Sequence, residues 1–142
     1  MKNYDPKMHT AEHVLNQTMV RMFNCDRCFS AHINKKKSKC DYHFDRSLTD
    51  NEIREIESRI NEIIKEDLPV TEKFLSREEA MNAYSLKRLP EDAGDKIRIV
   101  KVGSYDACPC IGPHISTTAD IEQYRITSSS YHDGVLRIRF KL

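Results

Sequence analysis

The sequence predicts an α+β fold, two main helices packed on an antiparallel sheet, from three observations. Two stretches repeat apolar residues at helical spacing, several others alternate apolar with polar residues, and Asp133-Gly134 sits before one of these as a hairpin turn would. No repeat or low-complexity tract divides the chain, so residues 1–142 are expected to form one domain.

In chain order, Asp5 and Pro6 suit an N-cap and first helical position, and Met8, Ala11, Leu15, Thr18, Met19 and Met22 follow at helical spacing to about Asn24. Phe29, Ala31 and Ile33, then Cys40, Tyr42 and Phe44, alternate on either side of Lys35-Lys36-Lys37-Ser38, which predicts a hairpin with a basic tip. Thr49 and Glu52 form a capping-box pattern ahead of the stripe Ile53, Ile56, Ile60, Ile63 and Ile64, and Pro69 ends the run. Val70 to Phe74 reads as a short strand, and Ser76 with Glu79 caps a brief helix to about Tyr84. Lys87 to Asp95 reads as a loop. Ile97 to Val102 and Ile121 to Ser128 are expected strands, and Asp133-Gly134 turns the chain into a last one, Val135 to Leu142.

Lys plus Arg number 23 against 22 Asp plus Glu, a net charge of +1, so any contact with a polyanion must come from local patches. Two patches offer themselves. Lys35, Lys36, Lys37 and Lys39 crowd the hairpin, and Arg137, Arg139 and Lys141 alternate with apolar residues in the last strand; the alternative is a solvated loop and the wet face of a sheet. No apolar stretch approaches the roughly 20 residues that cross a bilayer, and the start carries no apolar signal region, so a cytosolic protein with no membrane partner is expected. Five cysteines, an odd count, argue for thiols that are buried, reactive or metal-bound over a disulfide framework.

His9 and His13, four apart, project from adjacent turns of one helix face, away from the apolar arc, which suits a cleft better than a core. Far along the chain, Cys110 and His114 are also four apart, across a Gly112-Pro113 turn that can bring both onto one centre. Two histidines, a cysteine and a third histidine make a nitrogen and sulfur set of the kind zinc prefers. Cys108 could compete for the metal. Cys25-Asp26-Arg27-Cys28 has CxxC spacing but no second pair, and it follows a helix instead of opening one, so a structural origin is expected.

His9-Thr10-Ala11-Glu12-His13 resembles the HxxxH motif, and Cys110-Ile111-Gly112-Pro113-His114 the CxxxH motif, of the editing domain shared by threonyl- and alanyl-tRNA synthetases and by free-standing alanyl-tRNA editing proteins. The resemblance spans nearly the whole chain. Residues 61–70 and 76–80 are similar to that domain's long helix, strand and following short helix. It implies the second-additional-domain fold and a trans-editing hydrolase that deacylates mischarged tRNA, Ser- or Gly-tRNA(Ala) or else Ser-tRNA(Thr). The partner would be the tRNA acceptor end. A chain of 142 residues lacks room for an ATP-binding ligase domain, so no ATP is expected.

The resemblance also implies Zn2+ held by His9, His13, Cys110 and His114, with His9 and His13 doubling as catalytic groups. Family pattern favours Cys110 over Cys108. Four protein ligands make a closed site, so one of them, a helix histidine, would give way to water or substrate, or the ion would order the pocket and bind the substrate amino group. Threonyl-type editing domains resemble this site and act without a metal, their histidines and cysteine serving directly in binding and proton transfer. Gly112-Pro113 is similar to the threonyl branch and residues 134–140 to the alanyl branch. Alanyl domains often carry a Gln and a Gly-Ser pair where Phe29-Ser30-Ala31-His32-Ile33 keeps neither. The competing class is a non-catalytic, zinc-stabilised tRNA-binding module. In either class Lys35, Lys36, Lys37, Lys39, Arg137 and Arg139 are the candidate phosphate contacts.

Overall fold

The computed structural model of the protein describes residues 5–86, 89 and 94–142. The predicted loop from Lys87 to Asp95 lies for the most part outside them.

Helix α1, Pro6–Phe23, starts where the Asp5 side chain accepts the Met8 N–H and stops where Asn24 turns left-handed with φ 54°. Helix α2, Asp50–Glu66, carries the full capping box between Thr49 and Glu52 and ends at left-handed Asp67. A third, short helix α3, Arg77–Ala83, repeats that box with Ser76 and Glu79.

The strands form two antiparallel sheets. One has the order β1-β2-β7-β6, from β1 (Ser30–His32), β2 (Ser38–His43), β6 (Arg125–His132) and β7 (Val135–Lys141). The other has the order β3-β4-β5, from β3 (Val70–Ser76), β4 (Lys96–Val102) and β5 (Asp106–Pro109). The α+β class holds. The β6–β7 turn has φ 49° at Asp133 and 84° at Gly134, positive at both central residues as a tight hairpin requires.

The strand expected at Ile121 to Ser128 is displaced. Thr118–Ile121 is a 3-10 turn, Glu122 takes φ 73°, and β6 begins only at Arg125. Burial explains the shift: Ile121 and Tyr124 are drawn into the core beneath the helices, while β6, rich in serine, has no buried residue. The main core is built from Met8, Ala11, Leu15 and Met19 of α1, Ile56, Ile60, Ile63 and Ile64 of α2, and the inward row Cys40, Tyr42, Leu136, Ile138 and Phe140 of the larger sheet. Burying such a side chain contributes about 1.5–3 kcal/mol. A small cluster, Ala80, Ile97 and Ile99, joins α3 to the second sheet.

Candidate metal centre

Helix α1 is buried on both sides, and that placement builds the site. Its apolar arc faces the core. At about 100° per residue, Thr10, Glu12, His9, His13, Asn16 and Gln17 share the other arc. The first five are buried, His9, Thr10 and His13 against β5 and the turn after it, Glu12 and Asn16 against Cys28 and Tyr42. His9 and His13 are each only 3% exposed, so they lie in a packed interface and not in the open cleft their helical position suggests.

Every one of these polar side chains has a partner from a distant segment. Asn16 Oδ1 accepts the Tyr42 hydroxyl at 2.7 Å and the Cys28 N–H at 3.1 Å. Gln17 donates to Asp106 at 3.0 Å, and Glu12 accepts the Cys28 thiol at 3.4 Å. Left unpaired, each would cost about 1–3 kcal/mol.

His9, His13, Cys110 and His114 bring their ligating atoms within 4.8 Å of one another. Cys110 Sγ lies 3.2 Å from His9 Nε2 and 3.4 Å from His114 Nε2. Ordinary zinc bond lengths set the sulfur–nitrogen edge of a tetrahedron at about 3.6 Å, so these donors stand a few tenths of an ångström inside it. The rings are also held for the purpose. His9 Nδ1 donates to the Pro113 carbonyl at 3.0 Å, which leaves Nε2 as the lone-pair nitrogen. The Thr10 hydroxyl donates to the Pro6 carbonyl at 2.9 Å, so towards His114 Nδ1, also 2.9 Å away, it can only accept. His114 therefore carries its hydrogen on Nδ1 and presents Nε2 to Cys110.

Charge follows the same arrangement. Burial alone would raise Cys110, but its contacts with His114, His13 and His9 outweigh it and bring the thiol down to about 3. Burial, assisted by the neighbouring rings of His13 and His9, brings His114 down to about 4. A thiolate and a neutral imidazole are the forms a metal ion binds. The donor set, its spacing and the protonation of Cys110 and His114 thus fit a zinc-type ion.

His13 links this centre to a second group, His13, Asp106 and Cys108. Its Nδ1 lies 3.2 Å from Cys108 Sγ and 3.6 Å from Asp106 Oδ2. Burial works against the charged ring, but Cys108 and Asp106 prevail and hold it well above the ordinary value. Arg27 donates to Asp106 at 2.6 and 3.3 Å and to Cys108 Sγ at 3.3 Å, so a guanidinium already supplies the cation there. Asp106, buried as it is, is kept at about 2 by His13 and Arg27. An open cleft of about 170 Å³, lined in part by Thr71, Arg98 and Ser116, reaches His114 from outside.

Residues 97–139 match the family described as the threonyl and alanyl tRNA synthetase second additional domain. The chain is similar over nearly its whole length to three alanine–tRNA ligases. That of Methanopyrus kandleri is 34% identical over 137 residues, 93% of this chain. Those of Pseudothermotoga lettingae and Treponema denticola are 33% and 31% identical, each over 92% of the chain. The chain belongs to this second-additional-domain family. It spans only 15% of the length of the first two ligases and 22% of the third. Within the second additional domain seen here, the family match runs from β4 to β7 and takes in Cys110 and His114, while His9 and His13 lie before it.

The basic residues are not brought to the candidate centre. Lys35, Lys36 and Lys37 are exposed at the β1–β2 tip, but Lys39 stands opposite Arg139, and Asp41 opposite Arg137, on the sheet face turned away from α1. Arg137 is held by Asp41 through two hydrogen bonds of 2.7 and 2.9 Å, and Arg139 donates to Ser128. Cys25 and Cys28 diverge: Cys25 Sγ faces the Met19 carbonyl and Cys28 faces Glu12. Sequence reasoning missed Arg27 and Asp106, whose 79-residue separation leaves no local signal, and the buried roles of Thr10, Glu12 and Asn16.

Proposed function

We propose that the protein is an aminoacyl-tRNA deacylase, hydrolysing the ester between a wrong amino acid and the acceptor end of a tRNA in trans. The observation that carries this reading is the His9, His13, Cys110 and His114 centre, set in a domain whose relatives include alanine–tRNA ligases. Those relatives weigh the choice towards tRNA(Ala) carrying serine or glycine, with Ser-tRNA(Thr) as the second substrate to test.

His9, His13, Cys110 and His114 would hold a zinc ion. Bound there, zinc supplies a Lewis acid for the ester carbonyl and lowers the pKa of bound water to about 7. The chain's own groups do the rest. Pro113 and Thr10 fix the rings of His9 and His114, so the donors need move apart by only a few tenths of an ångström. Asp106 and Cys108 both face His13 Nδ1, so a hydrogen held there would leave Nε2 of the ring for the metal. The packed α1 interface excludes bulk water. The cleft reaching His114 gives the aminoacyl group its approach, which makes His114, and not a helix histidine, the ligand to yield to substrate.

The test is release of amino acid from Ser-tRNA(Ala), Gly-tRNA(Ala) and Ser-tRNA(Thr) by purified protein, beside His9→Ala and Cys110→Ala. Release from one substrate, lost in both variants, is expected. A folded, zinc-loaded protein that shifts tRNA in a gel but releases nothing would replace this reading with the binding module.

A further inference from the structure

A third group of ligating side chains lies beside the first and plays no part in the chemistry above. Glu12 of α1, Cys28 in the segment before β1 and Cys40 of β2 place a carboxylate oxygen and two sulfurs within 4.8 Å of one another. All three are buried, at 2%, 1% and 0% exposure. The 3.4 Å from Cys28 Sγ to Glu12 Oε2 compares with about 3.5 Å for the sulfur–oxygen edge of a zinc tetrahedron. Glutamate is among the residues least often buried this fully, and it tolerates burial when paired or ligated.

An independent observation points to an occupant. The Tyr124 hydroxyl, also fully buried, is the orphan among buried side-chain polar atoms of the described residues, with no hydrogen-bond partner. Tyr124 belongs to the same buried core as Cys28 and Cys40. An orphaned buried hydroxyl marks a place where water or an ion completes the shell. In the group around Asp106 the Arg27 guanidinium takes the cation's place; around Cys28 and Cys40 the ligand chemistry is two sulfurs and a carboxylate.

We propose that Glu12, Cys28 and Cys40 form a second metal site, built for a thiolate-preferring divalent ion of the zinc class. Two thiolates and one carboxylate exclude magnesium and calcium by softness and suit zinc. Glu12 Oε1 also stands 3.6 Å from His9 Nε2, so the two centres share a wall of α1 and their occupancies should influence one another.

Native-state mass spectrometry of the full chain loaded with zinc counts the ions directly. The Cys28→Ser/Cys40→Ser chain is expected to hold one zinc fewer than the unsubstituted chain, and Cys110→Ala, which damages the first centre, is expected to keep one. With cobalt in place of zinc, Cys110→Ala should show thiolate-to-cobalt absorption that the added serine pair abolishes. Equal zinc counts in the unsubstituted and double-serine chains would overturn the proposal, as would a Cys28–Cys40 disulfide in the native chain. Should the serine pair fail to fold, Glu12→Gln keeps both sulfurs; zinc affinity at this site weakened at least about tenfold supports the site, and unchanged affinity sinks it.

Discussion

Helices α1 and α2 are nearly equal in length, 18 and 17 residues, and bury themselves on opposite terms. Helix α2 hides Ile56, Ile60, Ile63 and Ile64 and leaves its remaining faces half-buried or exposed. Helix α1 buries eleven residues, six of them polar: His9, Thr10, Glu12, His13, Asn16 and Thr18. An apolar stripe needs only a surface to cover it, whereas each buried polar group needs a particular partner at hydrogen-bonding distance. Stability can therefore be built on α2 with little regard to the rest of the chain. The candidate centre sits on α1, where distant segments must arrive in register.

Substitutions on the two helices should separate these roles. The largest effect is expected from Cys110→Ala, which leaves three histidines without their shared sulfur. Outer-shell changes cost about 10–100-fold in metal affinity, so loss of a ligand should exceed about 100-fold, read by competition with a chromophoric chelator. Next, Ile60→Ala should cost about 2–5 kcal/mol in urea unfolding while the zinc bound per folded chain stays the same. Zinc lost in proportion to stability would mean that the helices are not separable in this way. Thr10→Val keeps the shape of α1 but removes the hydroxyl between Pro6 and His114. An expected cost of about 1–3 kcal/mol should appear with weakened metal binding, and a drop in stability alone would make Thr10 a structural residue only.

The smallest effect belongs to the cap of α2. Hydrogen bonds from Arg46 at 2.8 and 2.9 Å, and then from the Thr49 N–H, hold Glu52 at about 2. Because the folded value is the lower one, this stabilisation is complete above the ordinary carboxylate pKa of about 4.3 and fades as pH falls to about 2. The pair is partly exposed, so Glu52→Gln should cost under about 1 kcal/mol at pH 7, and the difference should vanish near pH 2.

The same contrast decides what the sequence reveals. Helix α2 is legible because its stripe, its Thr49 and Glu52 box and the following Pro69 are all local. That His9, His13, Cys110 and His114 fall into two close pairs was readable too, since each pair is spaced by a single turn of helix or chain. Strand β5 was not: Asp106-Ala107-Cys108-Pro109 is short and owes its extension to pairing with β4. The division into two sheets escaped for the same reason, because β7 pairs with β2 across most of the chain. Glu12 and Asn16 gave no signal, since nothing near them in sequence announces the Cys28 and Tyr42 they meet. The basic residues of β7 were visible as charges, but Asp41, which holds Arg137, becomes their neighbour only through register.

The hydrogen bond from His9 to the Pro113 carbonyl spans 104 residues. In polymer terms, the two halves of the candidate centre are the ends of one long ring, and closing a long ring depends weakly on its circumference. Doubling the intervening chain would add only about 0.6 kcal/mol of closure entropy. The interval between the HxxxH and CxxxH segments is thus nearly free to drift, while the four-residue steps inside each are fixed by geometry. Related chains should be sought by those two short steps and not by the distance between them.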